Sequence, residues 1–257
     1  MLRKSILTTL VSALLVILFT ANGYPCFDTF LFIHKKSMVY PVGYTAADVL
    51  AEYSVNDTRN AGGDSYFTNY NVYYGLAERF SVQFGMSTVE TTREESQNGV
   101  DSWSVRGVFN ALNIANGTYY LDLILEHHTG VEADGNTTVF SVPNIFNISN
   151  FILVIHPVYE INRAEGANEY VWGGHGGIFY NVNNRGIIGI GAEYASPQSS
   201  SALNRQLTDG EFAASLFVGF NFGNLYFQNE FAKGLQNSRD YGVAATVKLF
   251  LDLGMHI

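Results

Sequence analysis

The chain is poor in charged residues, in proline and in cysteine. Only 14% of its 257 residues are charged, whereas a soluble globular domain usually carries about 25%. This shortage indicates that much of the surface does not face water. Cys26 is the only cysteine, so an internal disulfide is excluded, and we interpret Cys26 as a free thiol or an intermolecular partner. The formal net charge of −9, with no basic run, argues against a nucleic-acid partner.

Long apolar runs are also missing, except at the N-terminus. Arg3 and Lys4 precede an apolar run over residues 6–19, and small residues follow at Ala21 and Gly23. This pattern predicts a signal peptide over residues 1–23. The alternative, a permanent helical anchor, needs roughly 20 apolar residues, more than this run provides.

What the rest of the chain does contain is a repeated two-residue alternation, from about residue 46 to residue 253. Val72 and Leu76 fall on an apolar face, for example, and Asn71 on the opposite one. Alternating stretches of about ten residues, separated by turns, are typical of a lipid-facing β-barrel. The predicted strands are 46–56, 66–77, 80–91, 101–113, 118–130, 137–147, 151–163, 169–182, 186–196, 211–222, 225–236 and 240–253. The sixth is the weakest, because Pro143 removes a backbone donor.

These strands predict an all-β fold: a transmembrane, antiparallel, up-and-down barrel of about twelve strands (10–14) over residues 45–257. Tyrosine and phenylalanine are abundant, with 16 and 19 copies, as expected for the aromatic rims of a barrel. Connections alternate between short turns, such as Gly223-Asn224, and long polar loops, such as residues 196–210. This asymmetry is typical of the Gram-negative outer membrane, and places both termini in the periplasm. A β-sandwich is the alternative, but its solvent-facing strand faces would carry more charge.

Charged residues within the strands fall almost entirely on the face opposite the apolar one. The predicted lumen-lining charges are Glu52, Arg106, Asp122, Glu126, Glu160, Glu193, Glu230 and Lys248. Heights counted from the short turns pair Arg106 with Glu126 and Lys248 with Glu230, and set Glu52 across the seam from Lys248. Such pairs either brace the wall or form a charged constriction. The excess of carboxylates favours cations or neutral polar solutes.

Two histidines and a carboxylate share one predicted height on adjacent strands: His156, His175 and Glu193. Such a set can bind a divalent metal, although lumen histidines also form hydrogen bonds to carboxylates. His127-His128 is a second candidate. The sequence shows no catalytic triad, phosphate loop or paired-cysteine motif, so we expect neither enzymatic activity nor a cofactor.

Three segments resemble a broad family of outer-membrane transporters described as phenol-degradation or meta-pathway barrels. They are residues 74–80 (YGLAERF), 101–109 (DSWSVRGVF) and 234–242 (GLQNSRDYG). The resemblance covers about half of the chain, is specific for barrel architecture, and implies a channel for small, hydrophobic solutes. It assigns no site residues.

Residues 24–44, which lead into the barrel, lie outside this resemblance. They could plug the lumen, form the first strand or bind a periplasmic or outer-membrane protein through residues 24–41. We therefore predict a narrow, passive, porin-like channel for small solutes. The alternative is a non-conducting barrel that anchors or encloses a partner in an export or electron-transfer complex.

Overall fold

The computed structural model describes most of the predicted barrel and the segment before it. The described residues are 27–57, 63–91, 100–131, 135–164, 167–196, 199–200, 205–206 and 210–252. The predicted signal peptide, Cys26 and residues 253–257 lie outside the described residues. Within those ranges, no helix is long and apolar enough to cross a membrane.

The structure is almost entirely β. One short helix, α1, covers Thr29–Ile33. The strands are β1 Tyr44–Asp57, β2 Gly63–Ala77, β3 Phe80–Thr91, β4 Ser102–Ile114, β5 Tyr119–Gly130, β6 Asn136–Ser141, β7 Asn144–Ile148, β8 Phe151–Ala164, β9 Ala167–Val182, β10 Gly186–Ala195, β11 Ser199–Ser200, β12 Arg205–Gln206, β13 Glu211–Phe222, β14 Leu225–Gln236 and β15 Tyr241–Asp252.

Antiparallel pairing closes the sheet into a barrel. Each long strand pairs with the next along the chain, and β1 pairs with β15, from Tyr44 opposite Asp252 to Val55 opposite Tyr241. Strands β6 and β7 both pair with β5 and β8, so together they fill one position. Strands β11 and β12 form a separate hairpin in a long connection. The predicted twelve-stranded barrel is therefore confirmed.

The break between β6 and β7 lies at Pro143, where the sequence predicted the weakest strand. The Val142 N–H donates to the Pro157 carbonyl at 3.1 Å, and the Asp122 N–H donates to the Pro143 carbonyl at 3.0 Å. Because proline has no N–H to donate, the regular pairing stops there and resumes at Asn144. The wall stays closed across this irregularity.

Short turns on one end of the barrel use the residues that tolerate a positive φ. Asn116, Asn183, Asn184 and Gly223 all have φ between 52° and 60°. This conformation suits the tight hairpins predicted from their Asn and Gly content. We call this the short-turn end of the barrel, and the opposite one the long-loop end. The pairing of β1 with β15 forms the seam of the barrel. The first residue of β1, Tyr44, and the last residue of β15, Asp252, lie at the short-turn end.

The distribution of polarity is inverted relative to that of a water-soluble protein. Large apolar side chains are exposed on the outer face, with Phe84 at 56%, Trp103 at 55% and Ile190 at 63%. In contrast, Asp122 and Glu126 are buried on the inner face. A closed barrel leaves no strand edge unpaired, so its backbone polar groups are satisfied in a lipid environment. The fold is a transmembrane β-barrel of the outer-membrane type.

Candidate functional site in the barrel lumen

Residues 27–43 lie inside the short-turn half of the lumen; we call them the plug. Helix α1 begins there because the Asp28 carboxylate accepts hydrogen bonds from the N–H groups of Phe30 (2.9 Å) and Leu31 (3.2 Å). At its other end, Asn181 Nδ2 donates to the carbonyls of Phe32 (3.1 Å) and Ile33 (2.8 Å). The barrel wall therefore caps the helix that it encloses.

Apolar packing holds the plug against the wall. Phe27, Phe30, Leu31, Phe32 and Ile33 are all buried. Full burial of such a side chain contributes about 1.5–3 kcal/mol. Ring pairs join the plug to the barrel, with centroid separations of 3.7 Å for Phe30–Phe250, 4.7 Å for Phe27–Phe179 and Phe32–Phe179, and 4.7 Å for Tyr40–Tyr73. The lead-in segment is thus part of the folded core rather than a loose tail.

An ionic cluster joins the plug to both strands of the seam. Lys248 Nζ on β15 donates to Asp28 of the plug, and lies 3.1 Å from Asp48 Oδ2 on β1. It also donates to the Tyr40 hydroxyl at 2.6 Å, and that hydroxyl donates to Asp28 at 2.6 Å. Tyr73 donates to Asp48 at 2.8 Å. We call these five residues the latch.

Burial and charge act against each other within the latch. Burial raises the pKa of Asp28, but the Lys248 ammonium and the Tyr40 and Leu31 donors outweigh it and hold that pKa below its ordinary value of 3.8. Burial and the Asp28 charge together raise the pKa of Tyr40 well above 10.0. Near neutral pH, Asp28 is therefore a carboxylate and Tyr40 a neutral donor.

Polar contacts fix the rest of the plug. Thr29 Oγ1 lies 3.2 Å from Gln228 Oε1 on β14 and donates to it. The Met38 N–H donates to Asp122 Oδ2 at 2.6 Å. Lys35 Nζ donates to the Ser149 carbonyl at 2.6 Å, in a turn at the short-turn end. The plug therefore has polar partners on several sides of the barrel.

Three glycines of the wall make room for the plug. A Cβ on Gly75 would overlap the Pro41 carbonyl, and one on Gly219 would overlap the Thr29 hydroxyl. A Cβ on Gly191 would lie 2.9 Å from a ring carbon of Phe27. The barrel sequence is therefore adapted to an occupied lumen.

Above the plug, a cavity of about 430 Å³ extends toward the long-loop end. Its floor includes Asp28, Phe30 and Tyr40, and its upper wall reaches Asp101 and Asn136. Its ionic lining consists of five carboxylates, Asp28, Asp48, Asp101, Glu126 and Glu160, and two cations, Arg106 and Lys248. The charged part of the lining therefore carries an excess of negative charge.

The structure distributes the eight predicted lumen residues over two environments. Arg106, Glu126, Glu160 and Lys248 line the cavity, whereas Glu52, Asp122, Glu193 and Glu230 do not. The predicted pair of Arg106 and Glu126 is formed, with Nη2 and Oε2 2.5 Å apart. His128 Nε2 lies 3.1 Å from the other oxygen of Glu126.

The predicted pairings of Lys248 were wrong. Its cross-strand partners are Tyr226 on β14 and Asp48 on β1, whereas Glu230 and Glu52 are both opposite Ala244. Barrel strands tilt and are staggered, so β15 extends below the start of β14 and equal counts from the strand ends do not give equal heights. Asp48, not the predicted Glu52, is therefore the carboxylate of β1 that lies across the seam from Lys248.

Three residues of these networks were missed from the sequence. Arg239, in the connection between β14 and β15, folds into the lumen and joins Glu52 (2.5 Å) to Glu193 (2.7 Å). A loop position gives no periodic signal for this. Asp48 could have been found, because it shares a period-two face with Glu52. Asp28 lay in a segment with no assigned structure.

The predicted metal candidates lie in one row across the wall. His156 on β8 is directly opposite His175 on β9, which is opposite Glu193 on β10. Glu193 is bonded to Arg239, and no group of three potential metal ligands is gathered in the described ranges. His127 contacts Thr138 at 3.0 Å, and His128 contacts Glu126.

No protein-family model and no curated protein sequence matches the chain. Several solved structures, in contrast, match the chain. The COG4313 outer membrane channel from Pseudomonas putida F1 is 12% identical with a TM-score of 0.66, over 83% of this chain and 97% of the channel. The NanC porin is 10% identical with a TM-score of 0.57, over 79% and 97%. The translocator domain of the autotransporter NalP from Neisseria meningitidis is 12% identical with a TM-score of 0.55, over 84% and 90%. This chain therefore has the closed barrel fold of outer-membrane channels, porins and translocators.

Proposed function

We propose that the protein is a porin-like channel of the Gram-negative outer membrane, and that residues 27–43 keep it closed at rest. The observation that carries the proposal is the cavity of about 430 Å³, which is lined by seven charged side chains and enclosed by a lipid-facing barrel, with the plug as its floor. In this proposal both termini and the short-turn end face the periplasm, and residues 1–23 are removed as a signal peptide.

The charge of the cavity supports small cations or neutral polar solutes as cargo. Carboxylates outnumber cationic side chains in its lining, and Glu126 on β5 and Glu160 on β8 are both opposite Val139 of β6, in one row of the wall near the long-loop end. Rings of like charge select ions of the opposite sign. The hydrophobic cargo implied by the resemblance to phenol-degradation barrels is less well supported, because seven charged side chains line the cavity.

The plug makes the resting state closed, so transport requires its displacement. Its apolar side chains are buried and its polar groups are matched by the wall, which favours the closed state strongly. Opening would extend the upper cavity through to the short-turn end. The conducting fraction should therefore be small in the intact protein and large when the plug is removed.

The test is conductance of the refolded mature protein in planar bilayers, compared with a variant lacking residues 24–41. The intact barrel should give rare openings, and the deletion variant should give sustained steps with cation preference in a KCl gradient. Heat-modifiable migration in gels establishes that each barrel is folded. A folded deletion variant without conductance would contradict the channel proposal.

A reversible lock provides the matched control. Gly219 of the wall contacts Thr29 of the plug, so T29C/G219C in a C26A background places two thiols at facing positions, and a small shift of the plug accommodates the new Cβ. Oxidation should abolish openings, and reduction should restore them. The single variant T29C should respond to neither treatment.

A second function is favoured by one observation, the completeness of the plug's packing. A barrel whose lumen is filled by its own segment could instead anchor an export or electron-transfer partner without conducting. In that case the deletion variant stays silent in bilayers, and a partner captured by the intact protein is lost with residues 24–41.

A further inference from the structure

A pair of imidazoles lies in the lumen wall, outside the latch and the plug. His156 and His175 are direct cross-strand neighbours on β8 and β9, and both line the cavity. Each is buried, with exposed fractions of 4% and 7%. Their ring centroids are 5.7 Å apart, with an angle of 40° between the ring planes.

His156 is the unusual member of the pair. Both of its ring nitrogens are buried without a hydrogen-bond partner among the residues that the structure describes. A buried polar group without a partner costs free energy, so each such case needs an explanation. An imidazole nitrogen at the wall of a cavity is satisfied if a ligand that accepts its lone pair enters the cavity.

We propose that His156 and His175 form a two-histidine site for a late first-row divalent metal ion, such as Cu²⁺, Ni²⁺ or Zn²⁺. Metal–imidazole bonds are about 2.0–2.1 Å long, so two nitrogens on one ion lie about 3–3.5 Å apart. The terminal torsion of histidine is broadly populated, so the proposed site requires ring rotation to bring two nitrogens to that separation. Imidazole ligands favour these metals over Mg²⁺ and Ca²⁺, which prefer oxygen.

The surroundings leave the ion incompletely coordinated by protein. Glu193, the third member of the row, is bonded to Arg239 at 2.7 Å. Two imidazoles then leave positions that water or an oxygen of a solute fills from the cavity, as in metal sites with an open position. The structure thus assigns the cavity a capture site for a metal ion or a small metal complex. Binding is independent of whether the plug ever opens.

The test uses the untagged mature protein, refolded and titrated with CuCl₂, NiCl₂ and, for comparison, MgCl₂. One Cu²⁺ should bind per barrel, Mg²⁺ should not compete, and H156Q and H175Q should each weaken Cu²⁺ binding at least tenfold. The matched control is H34Q, because His34 contacts Tyr226 at 3.0 Å, outside the pair. Its affinity should equal that of the wild type.

Electron paramagnetic resonance of the wild-type Cu²⁺ complex provides a readout that does not depend on variants. Coupling to two imidazole nitrogens is expected. Unchanged affinity in folded H156Q and H175Q, or a spectrum without two coupled nitrogens, would overturn the proposal. Bilayer currents are recorded separately, so a failure here leaves the channel proposal standing.

Discussion

Lys248 on the last barrel strand donates a hydrogen bond to Asp28, which precedes the first strand by 16 positions and lies in the lumen. The same ammonium lies 3.1 Å from Asp48 on β1. One cation therefore connects the plug to both edges of the seam that closes the barrel. Because all three side chains are 14% exposed or less, the ions are only weakly screened by water.

Replacing this cation should release the plug. In K248M, Asp28 and Asp48 lose their cation inside the lumen, and breaking a buried pair by removing one partner costs about 3–5 kcal/mol. The expected result is an open probability at least tenfold higher in planar bilayers. D28N/K248M should recover part of the closed state, because one unpaired charge is removed.

The matched control is K233M. Lys233 is the partner of Tyr241 at the long-loop end and its ammonium lies 4.1 Å from the centre of that ring. K233M removes a lysine from β14, the strand next to β15, and leaves the five residues of the latch unchanged. Equal open probabilities in K248M and the wild type would show that the latch does not hold the plug.

A second prediction concerns the glycines that face the plug. G219A introduces a Cβ that would overlap the Thr29 hydroxyl, so the plug must shift or leave. We expect more frequent openings and faster proteolysis of residues 27–43 in G219A. In G107A the new Cβ would lie 3.5 Å from the Phe80 ring, an ordinary contact, so this control should behave as the wild type. Matching behaviour of the two variants would refute the steric argument.

A third prediction concerns barrel stability. Arg239 is buried between Glu52 and Glu193, so R239M leaves two carboxylates without their partner. A loss of about 3–5 kcal/mol is expected for breaking such a network. The temperature at which the heat-modifiable band converts to the unfolded form should fall clearly. R185M, at an exposed turn position, should leave that temperature within a degree or two.

The barrel could be predicted from the sequence because the features that specify its strands and turns lie close together along the chain. Period-two alternation, turn residues such as Asn183 and Asn184, and the proline at position 143 each act within a few residues. The Arg106–Glu126 pair was predictable for the same reason, since both strands meet at one short hairpin.

The rest depended on geometry that no local pattern encodes. Because β14 and β15 are staggered, the residue opposite Lys248 is Tyr226 and not the predicted Glu230. Arg239 entered the lumen from a loop, and the plug reached its site through contacts almost 200 positions apart, such as Thr29 with Gln228. Such contacts are fixed by the closed barrel, not by neighbouring sequence.

A fourth prediction addresses selectivity. Glu126 neutralises Arg106 at the cavity wall, with 2.5 Å between Oε2 and Nη2. In E126Q the guanidinium keeps its charge while the carboxylate is lost, so the wall becomes more positive. In the background that lacks residues 24–41, the reversal potential in a KCl gradient should shift toward anions. E78Q, at an exposed turn, removes the same charge far from the cavity and should shift it less. Equal shifts of the reversal potential in E126Q and E78Q would show that Glu126 does not set the selectivity.

The last prediction is the pH dependence of closure. The pKa of Asp28 in the docked plug lies below its ordinary value of 3.8, so the docked state binds this proton more weakly than the released state does. Docking is therefore favoured fully above that ordinary value, and is weakened as the pH falls through it toward the lower docked pKa. The groups that face Asp28 are Lys248 on β15 and Tyr40 in the plug, and the Tyr40 hydroxyl stays protonated throughout this range because its pKa is raised. Through Asp28, open probability should accordingly rise as the pH approaches 3. D28N, which cannot titrate, should show a higher open probability at pH 7 and a much flatter profile. A wild-type profile that rises equally in D28N would assign the acid response to other carboxylates of the lumen.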